Sequence, residues 1–147
     1  MAPPTAEPQV GRALGVDLGS RRIGLAVSDR SGTLAGPHAV LERTGDADTD
    51  RRAIVAAARE VGASLIVVGL PRSLSGRDGP AARAARAEVA ALRSVAGPDL
   101  PVELHDERFS TVMAQRAFGP RRAGRKRGPV DAAAAAIILQ SYLESHR

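Results

Sequence analysis

The 147-residue chain has no cysteine and no tryptophan, one tyrosine, two phenylalanines, and a single lysine (Lys126) among its 21 basic residues. Each shortage excludes something. Without cysteine there is no disulfide framework, no thiolate nucleophile and no zinc–thiolate site. So few aromatics argue against a platform that stacks unpaired bases. The longest apolar run, Ala132 to Leu139, falls far short of the ~20 residues that span a bilayer. Met1 to Val10 carries three prolines and no apolar core, so residues 1–10 are expected to be a flexible tail and not a signal peptide. A cytoplasmic protein with no membrane partner is expected.

What remains is one domain's worth of chain, expected over residues 11–147. Its core must come from Ala, Val, Leu and Ile, since 44% of the residues are hydrophobic and almost none are aromatic. The 21 basic residues outnumber the 16 acidic ones, for a net charge of +5. That balance suggests an anionic partner, but a chain so rich in Arg and Ala reflects compositional bias in part. Local clustering is the better guide.

Leu14, Val16 and Leu18 alternate with Gly15, Asp17 and Gly19, the period of a strand with one apolar face. A turn at residues 19–22, a second strand over Ile23–Ser28 and a third over Leu34–Leu41 give an antiparallel meander. The period then changes. Ile54, Val55, Ala58 and Val61 sit at helical spacing within Asp48–Val61, which stops at Gly62. Ser64–Leu70 is continuously apolar, the mark of a central strand buried on both faces. After the polar loop Pro71–Gly79, a helix is expected over Pro80–Val95 and a fifth strand over Leu100–Leu104. A short helix from Ser110 or Thr111 to Ala117 and a last helix over Pro129–Ser145 complete the order β-β-β-α-β-α-β-α-α. The fold class is therefore α/β, a mixed five-stranded sheet (three antiparallel strands, then βαβ units) with helices on both faces.

Asp17 is the first candidate for chemistry. A carboxylate in the middle of a strand must be paired, hydrogen-bonded or metal-bound. The alternative is an edge-strand Asp paired with Arg21 or Arg22, but the flanking Gly15 and Gly19 suggest room for a close approach by something bulky. Asp106 and Glu107 follow the fifth strand at its carboxyl end, where open α/β sheets bind ligands; taken alone, capping of the helix that starts at Ser110-Thr111 explains them better. Asp131 stands where an acidic residue ordinarily caps a helix or meets its dipole. The combination carries more than any member. Three carboxylates at a strand centre, a strand end and a helix start offer hard oxygen donors for Mg²⁺ or Mn²⁺. Two such ions, ~3.5–4 Å apart, promote phosphodiester cleavage. His38, His105 and His146 lie in separate elements and form no rival metal site; His105 is either a strand-end structural residue or a nearby proton shuttle.

From Arg116 to Arg127 there are six basic residues and no acidic one. Arg121, Arg122, Arg125, Lys126 and Arg127 form a glycine-punctuated stretch leading straight into Asp131, suited to a phosphate backbone. Arg21, Arg22, Arg72 and Arg77 lie in turns expected to face the same cleft. A solvated linker is the competing explanation.

Four stretches together resemble a known family: ALGVDLGSRRIGLAVSD over Ala13–Asp29, the Gly69-Leu70-Pro71 loop ending at Gly76, DERFST over Asp106–Thr111, and VDAAAAAIILQSYL over Val130–Leu143. Their order and spacing are similar to those of the YqgF family, also called RuvX, of Holliday-junction resolvases and ribosomal RNA maturation nucleases. The likeness runs from Arg12 to Leu143. It implies a ribonuclease H-like fold, and it implies that Asp17, Glu107 and Asp131 are the catalytic, metal-binding carboxylates, with Glu107 preferred over Asp106. It also implies a basic loop over Gly119–Gly128, which here is almost purely arginine where relatives often carry lysine. The expected activity is endonucleolytic cleavage of structured nucleic acid with Mg²⁺ or Mn²⁺, two ions in all. The expected substrate is the 5′ end of the 16S rRNA precursor, within the small-subunit ribosomal precursor; branched DNA is the alternative. A symmetrical junction resolvase needs a C2 dimer, but no apolar helix face demands one, so a monomer or weak homodimer is expected. Two other classes compete. An ATPase of the actin and sugar-kinase type also has Asp-x-Gly after a first strand, but it closes two domains around ATP, more than 147 residues supply. A non-catalytic RNA-binding ribosome-assembly factor would lead only if a carboxylate were missing.

Overall fold

Alternation in Leu14–Leu18 (β1) sends Leu14 and Val16 into one apolar layer and Ala13 into another. A computed structural model of the chain describes residues 11–70, 79–106 and 127–146. β1 turns back into Arg22–Ser28 (β2), which pairs with it antiparallel, and β2 pairs antiparallel with Ala35–Glu42 (β3). The β2–β3 register shifts between Leu25 and Ala26, whose partners are Ala39 and Pro37, so His38 is the extra residue. Pro37 has no N–H to give a ladder, which suits an edge strand.

Ala47–Glu60 (α1) begins where the Asp46 side chain accepts a hydrogen bond from the Thr49 N–H, and Gly62, at φ +74°, follows its end. Ile66–Leu70 (β4) pairs parallel with β1. Its residues are buried on both sides as the unbroken apolar run predicts: Ile66 and Val68 join the layer of Leu14, Val67 the layer of Ala13. Pro80–Ala96 (α2) has proline in its first turn and ends at Gly97, φ +86°. Val102–Asp106 (β5) then pairs parallel with β4. It starts two residues later than the sequence suggests. Pro101 cannot donate, though its carbonyl accepts from the Ile66 N–H at 2.9 Å, and Leu100 is a buried plug ahead of the strand.

The sheet order is β3-β2-β1-β4-β5, with β1 at the centre. α1 and α2 cover one face and Arg127–Ser145 (α3) the other. α3 begins two residues before the predicted start. Between Ala132 and Leu143 it is apolar nearly all round, as a helix enclosed on most sides must be. The expected short helix over 110–117 lies outside the described residues. Among the described residues no helix is long and apolar enough to cross a membrane.

Candidate active site

Because β1 is the third of five strands, the edge-strand explanation of Asp17 does not hold. Asp17 alternates with Val16 and Leu18, which pack toward α1 and α2, so it shares the α3 face with Gly15. It is half-buried, and its direct partner on β2 is Gly24, which brings no side chain beside it.

The two glycines flanking Asp17 do allow close approach, but what approaches is the protein itself. A Cβ on Gly15 would lie 2.8 Å from the Leu139 Cβ and 3.0 Å from the Ala135 carbonyl oxygen, so Gly15 admits the backbone of α3. A Cβ on Gly19 would lie 2.6 Å from the Arg22 carbonyl oxygen. Gly19 is thus required by the tight turn, where its N–H donates to the carbonyls of Asp17 (3.1 Å) and Arg22 (3.0 Å).

Parallel pairing puts the carboxyl ends of β1, β4 and β5 on one edge. Val16 pairs with Val68, Gly69 with His105 and Leu70 with Asp106, so Asp17 stands one residue beyond the last β1–β4 pair. Glu107 follows Asp106 in sequence and lies outside the described residues. Asp131 belongs to α3, one turn before Ala135, the residue whose carbonyl faces Gly15; its side chain is outside the description. Among the described residues no group of three His, Asp or Glu side chains gathers.

His105 acts as a tie between strand and helix. Its Nε2 is 2.9 Å from the Ser141 Oγ, and its ring meets Tyr142 edge-on at 5.7 Å. Beside it the Tyr142 hydroxyl donates to the Glu103 carboxylate at 2.7 Å. Burial, reinforced by that bond, pushes the hydroxyl's pKa well up, so it remains a donor.

Of the predicted phosphate contacts, Arg21 is exposed in the turn after Asp17, and Arg22 pairs with Glu42 on β3 (Nε–Oε2 3.1 Å). Arg72, Arg77, Arg121, Arg122, Arg125 and Lys126 lie outside the described residues; Arg127 opens α3, but its side chain is not described. Sequence reasoning passed over Arg43. Its Nε donates to the Gly19 carbonyl at 2.7 Å, bracing the turn beside Asp17 across 24 residues of chain. Only the β2–β3 register, with its bulge, brings Arg43 there, and no local pattern announces that.

A family model described as "RuvX: Holliday junction resolvase" matches residues 11–145. The chain belongs to the RuvX family. Similar curated proteins bear the name "Putative pre-16S rRNA nuclease". That of Mycobacterium sp. (strain KMS) is 41% identical over 148 residues, covering 99% of this chain and 86% of its own length. That of Kineococcus radiotolerans is 47% identical, covering 93% and 73%, and that of Anaeromyxobacter dehalogenans is 44% identical, covering 90% and 96%. Among solved structures, T. thermophilus RuvC in complex with a Holliday junction substrate superposes with a TM-score of 0.56 at 17% identity, over 92% of this chain and 95% of that one. A second structure of Thermus thermophilus RuvC gives 0.51, also at 17% identity over 92% of this chain and 95% of that one. These likenesses show the ribonuclease H-like fold that the family resemblance implies, and the observed sheet order agrees with it.

Proposed function

We propose that this RuvX-family chain is a divalent-cation-dependent endonuclease on structured nucleic acid, and that residues 11–147 form one nuclease domain. Its proposed substrate is the 5′ end of the 16S rRNA precursor, in the cytoplasm, as the names of its relatives suggest. The observation that carries the reading is the position of Asp17: half-buried on the central strand, on the α3 face, at the edge where β4 and β5 also end.

Asp17, Glu107 and Asp131 would hold Mg²⁺ or Mn²⁺, two ions on this reading. The donor chemistry fits, since all three are hard carboxylate oxygens. Asp17 fits in a second respect: it lies opposite Gly24, which brings no side chain to crowd it. Bound there, a divalent cation supplies neutralisation of phosphate charge and activation of water. The protein's share is positional. Gly15 lets α3 settle against β1, which sets the helix carrying Asp131 near the strand carrying Asp17. The His105–Ser141 contact ties β5, whose next residue is Glu107, to the same helix. Arg21, Arg22, Arg72, Arg77 and the arginines of 121–127 with Lys126 would hold the phosphate backbone. Hydrolysis joins a water oxygen to phosphorus and breaks the bond to the 3′ oxygen, leaving a 3′-hydroxyl and a 5′-phosphate.

Purified protein with Mn²⁺, incubated separately with ribosomal RNA precursor and a synthetic four-way junction, tests this. Asp17→Asn should lower cleavage by at least about 100-fold, the scale on which essential groups act, while thermal midpoint and binding are retained. Glu107→Gln controls for contaminating nucleases. Equal cleavage by Asp17→Asn and parent would overturn the site. Cleavage of the junction alone would favour the resolvase reading, for which the family description speaks. A monomer or weak homodimer suits precursor processing; a resolvase would require the C2 dimer.

A further inference from the structure

The sheet corner beside Asp17 holds a juxtaposition that folding alone disfavours. In the β2–β3 ladder Arg22 stands opposite Glu42, and their side chains form an ion pair at 3.1 Å. One step further out, Arg43 faces Arg21: its N–H donates to the Arg21 carbonyl at 3.0 Å. Like charges directly opposed across an antiparallel pair repel. Neither guanidinium has a carboxylate within ion-pairing distance among the described residues.

Arg43 is also held in a particular way. Its Nε–H is spent on the Gly19 carbonyl at 2.7 Å, and the Gly19 N–H in turn donates to the Asp17 carbonyl at 3.1 Å. Two hydrogen bonds thus connect this guanidinium to the catalytic strand. The terminal amino groups make no hydrogen bond among the described residues, and they form the fork that matches two oxygens of a phosphate. Fixing the side chain in advance lowers the ordering cost of that contact.

We propose that Arg43 and Arg21 form a phosphate-binding corner that grips the nucleic-acid backbone at the end of the sheet where Asp17 stands, with the Gly19–Arg43 bond presetting the grip. The ligand chemistry is a phosphodiester, common to RNA and DNA. The inference rests on the endonuclease reading and adds to it Arg43, which that reading leaves out, as the preset partner of Arg21.

The test measures binding in the Asp17→Asn background, where cleavage does not interfere. One arm uses a ribosomal RNA precursor fragment, the other a synthetic four-way DNA junction, each titrated over a range of salt. Losing one phosphate contact lowers the slope of log affinity against log salt by about 1. Arg43→Gln should show that change with several-fold weaker binding. Arg21→Gln should do the same, and its exposed side chain makes it safe for the fold. Arg52→Gln, an exposed arginine of α1, should change neither quantity. A change in both arms supports backbone recognition, and a change in one arm supports the corner for that nucleic acid. If the background protein binds but the slopes of Arg43→Gln and Arg21→Gln equal its own, the corner is overturned while the endonuclease reading stands. If it binds neither nucleic acid, both fail together.

Discussion

On one face of the sheet, Leu14, Val16, Ile23 and Leu25 meet Ile54, Val55, Val89 and Leu92 from α1 and α2. On the other, Ala13, Gly15 and Ala26 meet Ala135, Ala136 and Leu139 of α3. Branched side chains keep the first pair of layers at ordinary spacing and bury the larger apolar area. Small residues on the second face let a helix backbone come within van der Waals contact of β1. Polar ties accompany that approach: Ser141 to His105, Tyr142 to Glu103, and the Gln140 Oε1 accepting from the Ala35 N–H at 2.8 Å. The first face supplies stability and the second supplies placement, and Asp17 is on the second.

That division can be broken from either side. Leu92 is fully buried, and Leu92→Ala should cost about 2–5 kcal/mol in denaturant unfolding, the usual transfer-plus-cavity penalty. Cleavage per folded molecule should stay near the parent's. Gly15→Ala should cost less, about 1–3 kcal/mol, because one methyl is forced against Leu139 and the Ala135 carbonyl. It should nevertheless reduce cleavage more than Leu92→Ala does, since α3 must shift relative to β1. A fully active Gly15→Ala enzyme would show that the helix is not a positioning element.

The same contrast explains what the sequence made legible. The α1/α2 face follows from local rules: alternation at 14, 16 and 18, helical spacing at 54, 55 and 58, and stops at Gly62 and Gly97. The buried run Ile66–Val68 announced a central strand. The α3 face was read less well because its logic is non-local. Gly15 looked like room for a ligand until a helix 120 residues later in the chain proved to fill it. Arg43 carried no signal because its partner depends on strand register and a bulge. Asp17 was legible through the cost of burying a carboxylate, which needs no partner's address. Glu107 and Asp131 were legible by place, one just past a strand end and one at a helix start, and the motif chose Glu107 over Asp106. The basic stretch 116–126 was conspicuous by charge, but it falls outside the described residues.

The smallest effect concerns a single hydroxyl, and it tests whether the polar ties of the α3 face exist in solution. Tyr142 is buried and donates to Glu103 at 2.7 Å, but Glu103 is exposed and water can replace the lost bond, so Tyr142→Phe should cost only about 1 kcal/mol, the net worth of an ordinary hydrogen bond. Its titration is the sharper probe. Burial first, then the bond to Glu103, raises the pKa of this hydroxyl in the folded chain, whereas an unfolded tyrosine titrates near ~10. The folded state therefore holds the proton more tightly. The resulting stabilisation is complete below the unfolded value and is lost as pH rises beyond it toward the folded one. Tyr142 is the one tyrosine in a chain without tryptophan, so phenolate absorbance reports this site alone. The absorbance should stay flat through the ordinary tyrosine range and rise only as the protein unfolds in alkali. Glu103→Gln should bring that rise to lower pH by removing the adjacent negative charge, leaving burial as the remaining cause. An ordinary tyrosine titration with the fold intact would mean that Tyr142 is wet, and that α3 is not tied to β5 through this hydroxyl.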